Sequence, residues 1–349
     1  MKIRSALIVI TSAFMLTAGA AVPATAGHSP HTLRALAKKT GVRIGSAVDA
    51  DALAADRDYR RLLNRQFNHV TAENAMKWAL VEPERGVFDW SGADAIVRNA
   101  KRNGQQIRGH TLLWHNQLPE WLTEGEPNFT TAELRSILRK HVFDVAGRYR
   151  GQIRAWDVVN EVVEDGGGFR NTLWFRRLGE GYIADMFRWA HQADPHAKLY
   201  INDYNLEWDT AKVQTTFEIV TDLLAAGVPI HGVGFQGHLG IQFDYPTAFP
   251  EHMKRFTDLG LEVAVTEADV RMVLPVTAEK EATQATYYQN LLRTCLENRK
   301  CTEFTTWGYT DRYQWVPGFF EGEGSAALFD EDLVPKPAYF ALLALGRKK

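Results

Sequence analysis

The sequence repeats one local pattern eight times: a short β-forming run that ends in polar residues, followed by a stretch with helical periodicity. The runs are Arg43–Val48, His69–Asn74, Gln106–Trp114, Arg154–Glu161, Lys198–Tyr204, Gly232–His238, Leu261–Glu267 and Glu303–Tyr309. Several of them, such as residues 155–160 and 263–267, are typical of parallel strands buried on both faces. Eight β-α units in one chain predict an α/β fold, the (β/α)8 or TIM barrel.

The stretches between the runs carry helix signals. Thr130 and Glu133 have the spacing of a capping box, and apolar residues on one helical face follow. Gly227 ends another striped stretch as a C-terminal cap. A doubly wound α/β sheet is the alternative fold, but no Gly-rich phosphate loop follows a predicted strand and opens a helix. We therefore expect no nucleotide cofactor.

The first 26 residues have the pattern of a secretory signal peptide. Lys2 and Arg4 precede an uncharged stretch, residues 5–33, and Ala24 and Ala26 form an A-x-A cleavage site. An uncleaved membrane anchor is the alternative, but the apolar run is interrupted and shorter than the ~20 residues that a membrane span needs. We therefore expect residues 1–26 to be removed and the protein to be secreted, without membrane attachment.

Residues 27–349 contain no Pro/Gly/Ser linker, low-complexity tract or charge block, which predicts a single domain with no appended binding module. The 40 basic and 42 acidic residues nearly balance, so nothing in the charge favours a nucleic-acid partner. Cys295 and Cys301 can pair in an oxidising compartment, with two unpaired thiols as the alternative. Their number and spacing exclude a CxxC redox centre and a Cys-rich zinc site.

Polar and aromatic residues follow the predicted strands, at the barrel end where active sites lie. They combine carboxylates, amides, imidazoles and indoles: Glu73, Asn74, His110, Trp114, His115, Asn160, Glu161, Asn202, Asp203, Gln236, His238, Glu267, Asp269 and Trp307. A metal site is the less favoured interpretation, because the sequence lacks HExxH and HxH motifs and two of these histidines are five residues apart on one strand. We expect no metal.

Glu161 and Glu267 end the fourth and seventh runs. Two carboxylates that face each other across a barrel mouth suit the cleavage of a glycosidic bond, in which one donates a proton to the leaving oxygen. The other must be ionised, so that it attacks the anomeric carbon or activates water, and their environments must push the two pKa values apart. For either glutamate alone, the alternative is a solvated or ion-paired carboxylate at the rim.

Six segments in chain order carry motifs: Glu73-Asn-Ala-Met-Lys-Trp78, Gly109-His-Thr-Leu-Leu-Trp-His-Asn-Gln117, Trp156-Asp-Val-Val-Asn-Glu161, Gly234-Phe-Gln-Gly-His-Leu239, Val265-Thr-Glu-Ala-Asp269 and Thr306-Trp-Gly-Tyr-Thr-Asp311. They resemble the active-site motifs of glycoside hydrolase family 10, the xylanase family with a (β/α)8 barrel. The resemblance covers about residues 31 to 345. Ala268 is a departure, since leucine is usual there; it removes no reacting group.

The resemblance implies that Glu161 is the general acid/base and that Glu267 is the nucleophile of a retaining reaction, with the two carboxyl groups ~5–5.5 Å apart. Asn160 would bond the sugar 2-hydroxyl, while His238, with Asp269 behind it, would orient the nucleophile. The residues implied to bind substrate are Glu73, Asn74, Lys77, His110, Trp114, His115, Gln117, Gln236, Trp307 and Trp315. The spacing of Cys295 and Cys301 also fits a disulfide common in the family.

We therefore expect a secreted, monomeric endo-β-1,4-xylanase without cofactors, whose catalytic domain covers residues 27–349 and whose partners are xylan and xylo-oligosaccharides. One alternative is the same machinery acting on another β-glycoside, such as a cellobioside or a plant defence glycoside. Another, of a different class, is a carbohydrate-binding protein without turnover, against which the presence of both glutamates argues.

Overall fold

The computed structural model describes residues 31–346, so the expected signal peptide lies outside the described residues. Within residues 31–346, eight parallel strands form a closed barrel. They are β1 (Arg43–Val48), β2 (His69–Ala72), β3 (Gln106–Gly109), β4 (Ala155–Asn160), β5 (Lys198–Asp203), β6 (Gly232–Phe235), β7 (Glu262–Val273) and β8 (Cys301–Thr306). Each strand pairs in parallel with the next, and β8 also pairs with β1, which closes the ring. The predicted (β/α)8 barrel is confirmed.

Helices lie between the strands and bury their apolar faces in a core continuous with them. They are α1 (Leu33–Thr40), α2 (Ala50–Ala55), α3 (Arg57–Gln66), α4 (Trp78–Val81), α5 (Ser91–Arg102), α6 (Glu120–Gly125), α7 (Thr131–Arg148), α8 (Leu173–Leu178), α9 (Gly181–Ala193), α10 (Ala211–Ala225), α11 (Phe249–Asp258), α12 (Ala278–Glu297), α13 (Val316–Phe319) and α14 (Pro337–Ala344). The predicted capping box, Thr130 with Glu133, begins α7. None of the helices in the described range is long and apolar enough to cross a membrane.

Two strands differ from their predicted bounds. β3 ends at Gly109, and the apolar residues Leu112 and Leu113 are buried in the following loop, which hydrogen-bonds to β4. β7 continues past residue 267 because its second half pairs with the short strand His238–Gly240 and then with Glu323–Gly324. The other six strands agree with the prediction to within three residues at each end.

An ion-pair network fills the barrel below the strand ends. Arg108 Nε donates to Asp157 Oδ2 at 2.9 Å, and Arg108 Nη1 lies 3.4 Å from Glu303 Oε1. His69 Nε2 contacts the same Glu303 oxygen at 3.1 Å, while His110 Nδ1 lies 3.0 Å from Asp157 Oδ2. All five side chains are buried, and each has a polar partner that offsets the cost of removing it from water. The network fixes the His110 ring from below, at the base of the mouth.

Cys295 in α12 and Cys301 at the start of β8 form a disulfide, which confirms the predicted pairing. The bridge lies at the amino-terminal end of β8, opposite the end that carries the predicted site residues.

Candidate active site

The predicted site residues gather at the carboxyl-terminal ends of the barrel strands and in the loops that follow. Asn160 ends β4, and Glu267 lies inside the long strand β7. The strand ends or the residues just after them carry Glu73, Asn74, His110, Asn160, Glu161, Gln236 and Trp307, while Glu267 and Asp269 lie within β7. The loops and short elements carry Lys77, Trp114, His115, Gln117, His238 and Trp315.

Glu267 is a buried carboxylate held by hydrogen bonds on both oxygens. Asn202 Nδ2 donates to Glu267 Oε1 at 2.7 Å, and His238 Nε2 lies 3.2 Å from Glu267 Oε2. His110 Nδ1 lies 3.8 Å from Oε1. Burial raises the pKa of Glu267, but the imidazoles of His110 and His238 and the Asn202 amide outweigh it and hold the pKa below its ordinary value. The environment therefore keeps Glu267 ionised.

His238 is itself held by a second carboxylate. Its Nδ1 lies 3.0 Å from Asp269 Oδ1, and Trp315 Nε1 donates to Asp269 Oδ2 at 2.7 Å. Burial lowers the pKa of His238, but the charges and hydrogen bonds of Asp269 and Glu267 outweigh burial and raise the pKa to about 10. The protonated ring therefore lies between the two carboxylates, with one ring nitrogen within 3.2 Å of Glu267 and the other within 3.0 Å of Asp269. The parallel pairing of the short strand His238–Gly240 with β7 places His238 opposite Asp269.

Glu161 follows β4 with its backbone in the left-handed region, at a φ of 57°. Residues other than glycine are disfavoured in this conformation, at a cost of order 1–3 kcal/mol that the surroundings must offset. The Glu161 N–H donates to the Asn202 carbonyl at 2.9 Å, and Arg170 Nε donates to the Glu161 carbonyl at 2.8 Å. These two bonds turn the residue out of the strand direction.

The carboxylate of Glu161 accepts hydrogen bonds from uncharged donors. Trp114 Nε1 donates to Oε2 at 2.8 Å, and Gln236 Nε2 donates to Oε1 at 3.2 Å. Asn160 Nδ2 donates to the same oxygen at 3.3 Å. These three partners are neutral, and together they fix the position of the carboxylate at the barrel mouth.

The side chain of Asn202 connects the two glutamates, a role that was not predicted from the sequence. Its Nδ2 donates to Asn160 Oδ1 at 2.8 Å as well as to Glu267, while Asn160 donates to Glu161. Gly234 on β6 leaves room for it, since a β-carbon there would lie 2.2 Å from Asn202 Oδ1. The position of Asn202 at the end of β5, beside β4, was the signal that could have identified it.

A lysine and two indoles line the mouth beside the carboxylates. Lys77 Nζ donates to Asn74 Oδ1 at 2.9 Å and lies 4.7 Å from the Trp114 ring centre and 5.7 Å from that of Trp307. Burial lowers the pKa of Lys77 against the opposing charges of nearby glutamates, including Glu267. The Trp307 ring also packs edge-on against His110 at 5.0 Å. Lys77, one of the predicted substrate ligands, is therefore a buried amine at the centre of the barrel mouth.

The remaining predicted ligands lie further out. Gln117 Nε2 donates to Asn74 Oδ1 at 3.4 Å. Burial and the charge of Asp49 raise the pKa of Glu73 to about 7, although Lys77 lowers it. His115 packs edge-on against Trp114, with ring centres 5.8 Å apart, and burial lowers its pKa.

Comparison with known proteins places this arrangement in a family. Residues 32–345 match the model of glycosyl hydrolase family 10. An endo-1,4-beta-xylanase of Agaricus bisporus is 44% identical over 310 residues, which cover 88% of this chain and 92% of the relative. Native xylanase 10B of Thermotoga maritima superposes with a TM-score of 0.86 at 39% identity, over 90% of this chain and 98% of that one.

A second structure, xylanase 10B of Thermotoga petrophila RKU-1 in complex with xylobiose, superposes with a TM-score of 0.87 at 39% identity, over 90% of this chain and 97% of that one. The family match spans almost the whole barrel, and the relatives are covered nearly end to end. The chain therefore belongs to glycosyl hydrolase family 10.

Proposed function

We propose that the protein is an endo-1,4-β-xylanase that hydrolyses xylan with retention of anomeric configuration. The observation that carries the proposal is the pair Glu161 and Glu267, which lie at one barrel mouth, are linked through Asn160 and Asn202, and have different environments. The names of the relatives support the substrate, since they are xylanases and one was solved with xylobiose.

In the first step, the ionised Glu267 attacks the anomeric carbon and forms a glycosyl-enzyme, while Glu161 gives its proton to the departing sugar oxygen. The lowered pKa of Glu267 supports its part, because a nucleophile must be deprotonated before it attacks. His238 keeps Glu267 oriented, and Asn160 is placed to bond the 2-hydroxyl of the sugar in the transition state.

In the second step, Glu161, now ionised, takes a proton from water, which attacks the same carbon and releases the sugar with its original configuration. The donors around Glu161, namely Trp114, Gln236 and Asn160, are neutral and hydrogen-bond to its oxygens. They suit a group that gains and loses a proton in each cycle.

The substrate preference rests on the crowded side of the mouth. Lys77 is packed near Trp114 and Trp307, and Trp315 is bonded to Asp269 behind His238. Xylose has no hydroxymethyl group on its ring, so a mouth closed in by these side chains favours xylose over glucose. The aryl cellobiosides and plant defence glycosides are the competing substrates.

Release of reducing sugar from xylan, compared with carboxymethyl-cellulose and aryl cellobiosides, tests the proposal. We expect xylan to be hydrolysed fastest, with short xylo-oligosaccharides as products. Faster hydrolysis of a glucoside than of xylan would show that the natural substrate is another β-glycoside. Binding to xylan without any product from the wild-type protein would leave a carbohydrate-binding protein.

We also propose that the protein is exported after loss of residues 1–26 and acts as a monomer with one catalytic domain over residues 27–349. Support comes from the charge-free stretch before Ala24-Thr25-Ala26 and from the continuous barrel. Amino-terminal sequencing of the protein recovered from culture medium, with light scattering of the same sample, tests both points. An intact leader or a stable dimer would contradict them.

A further inference from the structure

We infer that Arg170 is a positioning residue for the acid/base, which it holds through the backbone of Glu161. The inference rests on the proposed role of Glu161. Arg170 Nε donates to the Glu161 carbonyl at 2.8 Å, so the contact is with the main chain of the reacting residue. The charged partner of the guanidinium is Glu164, at 3.5 Å between Arg170 Nη1 and Glu164 Oε2.

The guanidinium joins three separate acceptors through its Nε and Nη2 atoms. Besides the Glu161 carbonyl, Arg170 Nη2 donates to the Val163 carbonyl at 3.0 Å and to the Tyr204 hydroxyl at 2.8 Å. Tyr204 follows β5, the strand next to β4, so the arginine connects the loop after β4 to the neighbouring strand end. A planar fork with five donors suits this geometry, whereas a lysine ammonium does not.

The loop after β4 folds back so that Arg170 reaches the residue nine positions before it. Val163 forms an isolated antiparallel bridge with Phe169, and the Arg170 N–H donates to the Val162 carbonyl at 2.7 Å. Gly168 lies at the turn with a φ of 82° and donates its N–H to Thr215 Oγ1 at 3.1 Å. The turn therefore returns the chain beside the acid/base and is itself anchored to α10.

Arg170 matters to Glu161 because the left-handed backbone there is held from both sides. The Asn202 carbonyl accepts from the Glu161 N–H, and Arg170 donates to the Glu161 carbonyl. Without the second bond, the peptide after Glu161 can rotate, and the carboxylate moves away from Trp114 Nε1. The expected defect is therefore a misplaced proton donor, with the nucleophile Glu267 unaffected.

A misplaced proton donor has a kinetic signature that general destabilisation does not share. A sugar leaving group needs protonation as it departs, whereas dinitrophenolate leaves unaided. Arg170→Lys, which keeps the charge, should lower kcat/KM on xylan roughly 10–10²-fold while changing kcat/KM on dinitrophenyl xylobioside less than about threefold. Arg176→Lys is the matched control, because Arg176 is exposed in α8, which follows the same loop, and donates a hydrogen bond to the Asn171 carbonyl.

The experiment compares Arg170→Lys, Arg176→Lys and Glu161→Ala on both substrates, with circular dichroism and the melting temperature as checks on folding. If Arg170→Lys does not fold, Arg170→Gln, which is shorter and uncharged, takes its place. Losses confined to xylan for Arg170 and Glu161 variants, with a normal Arg176→Lys, support the inference. Glu161→Ala must still lose more activity on xylan than on dinitrophenyl xylobioside. If it does, an Arg170 variant that loses activity equally on both substrates, or loses none, would overturn the inference. If Glu161→Ala shows no contrast, the role of Glu161 fails, and that of Arg170 fails with it.

Discussion

Glu161, just after β4, and Glu267, within β7, are the same kind of side chain in opposite settings. Glu267 lies within a continuous strand and is held by the imidazole of His238 and the Asn202 amide. Glu161 lies just outside its strand in a left-handed conformation, with its carboxylate bonded by uncharged groups such as Trp114. The pKa of Glu267 is held below its ordinary value, mainly by charges that offset burial.

The difference shows how one barrel gives two glutamates two functions. A cationic partner stabilises a carboxylate only while it is ionised, which suits a nucleophile. The groups hydrogen-bonded to Glu161 are neutral and fix its position, and the proposed acid/base must donate and then accept a proton from that position. The roles therefore follow from the partners that each strand end supplies.

The largest effect should come from removing the carboxylate of β7. We expect Glu267→Ala to lose roughly 10⁴-fold or more of its turnover on every substrate, since the attacking group itself is gone. Azide should restore part of the activity on activated xylosides by occupying the vacated space, and should give the azide of inverted configuration. Glu251→Ala, an exposed position on α11, is the control. More than a few per cent of residual activity would show that the nucleophile is another residue.

Removing the positive charge of His238 should make the surroundings of Glu267 more like those of Glu161. His110 and His238 both lower the pKa of Glu267; His238→Asn keeps a hydrogen-bond donor but loses the second of these charges and removes the imidazole beside Asp269. We expect kcat/KM on xylan to fall about 10²-fold and its acidic limb to move to higher pH, because Glu267 then protonates more readily. His196→Asn, at an exposed site, is the control. An unmoved acidic limb would mean that His238 does not set the ionisation of Glu267.

The same histidine should make stability depend on pH in the alkaline range. The pKa of His238 is about 10 in the folded protein and that of an unfolded histidine is ~6.5. Its contribution is therefore complete below pH 6.5 and lost as pH rises towards 10. Between pH 6 and pH 10, urea unfolding should show the difference in free energy of unfolding between wild type and His238→Asn shrinking by about 2–4 kcal/mol. A constant difference would contradict the protonated ring.

The smallest effect on activity should come from removing the disulfide, at the barrel end opposite the two glutamates. The disulfide closes a short loop between α12 and β8, so Cys301→Ser should lower the free energy of unfolding by at most about 2 kcal/mol. Because this rim is remote from both glutamates, the ratio of activities on xylan and dinitrophenyl xylobioside should match the wild-type ratio. A changed ratio would mean that the disulfide end of the barrel is coupled to the end that carries the two glutamates.

The fold was predictable because buried parallel strands are visible as apolar runs, and the barrel places their polar ends together. The contacts that folding creates between distant segments of the chain were not predictable. The role of Asn202 depends on three strands meeting and on the missing side chain of Gly234, and Arg170 reaches Glu161 only through a turn. The extension of β7 depends on pairing with Glu323–Gly324, fifty residues further along the chain. Local sequence carries no signal for such pairings.

The division of labour between Glu161 and Glu267 is tested most directly by following dinitrophenol release from dinitrophenyl xylobioside by Glu161→Ala. We expect a burst followed by slow release. The bond to dinitrophenolate breaks without an acid, whereas hydrolysis of the glycosyl-enzyme is slow because its general base is missing. Azide should accelerate the slow phase and give the azide of retained configuration, and activity on xylan should fall ~10²–10⁴-fold. No burst, with equal losses on both substrates, would contradict the assignment of Glu161 as the acid/base.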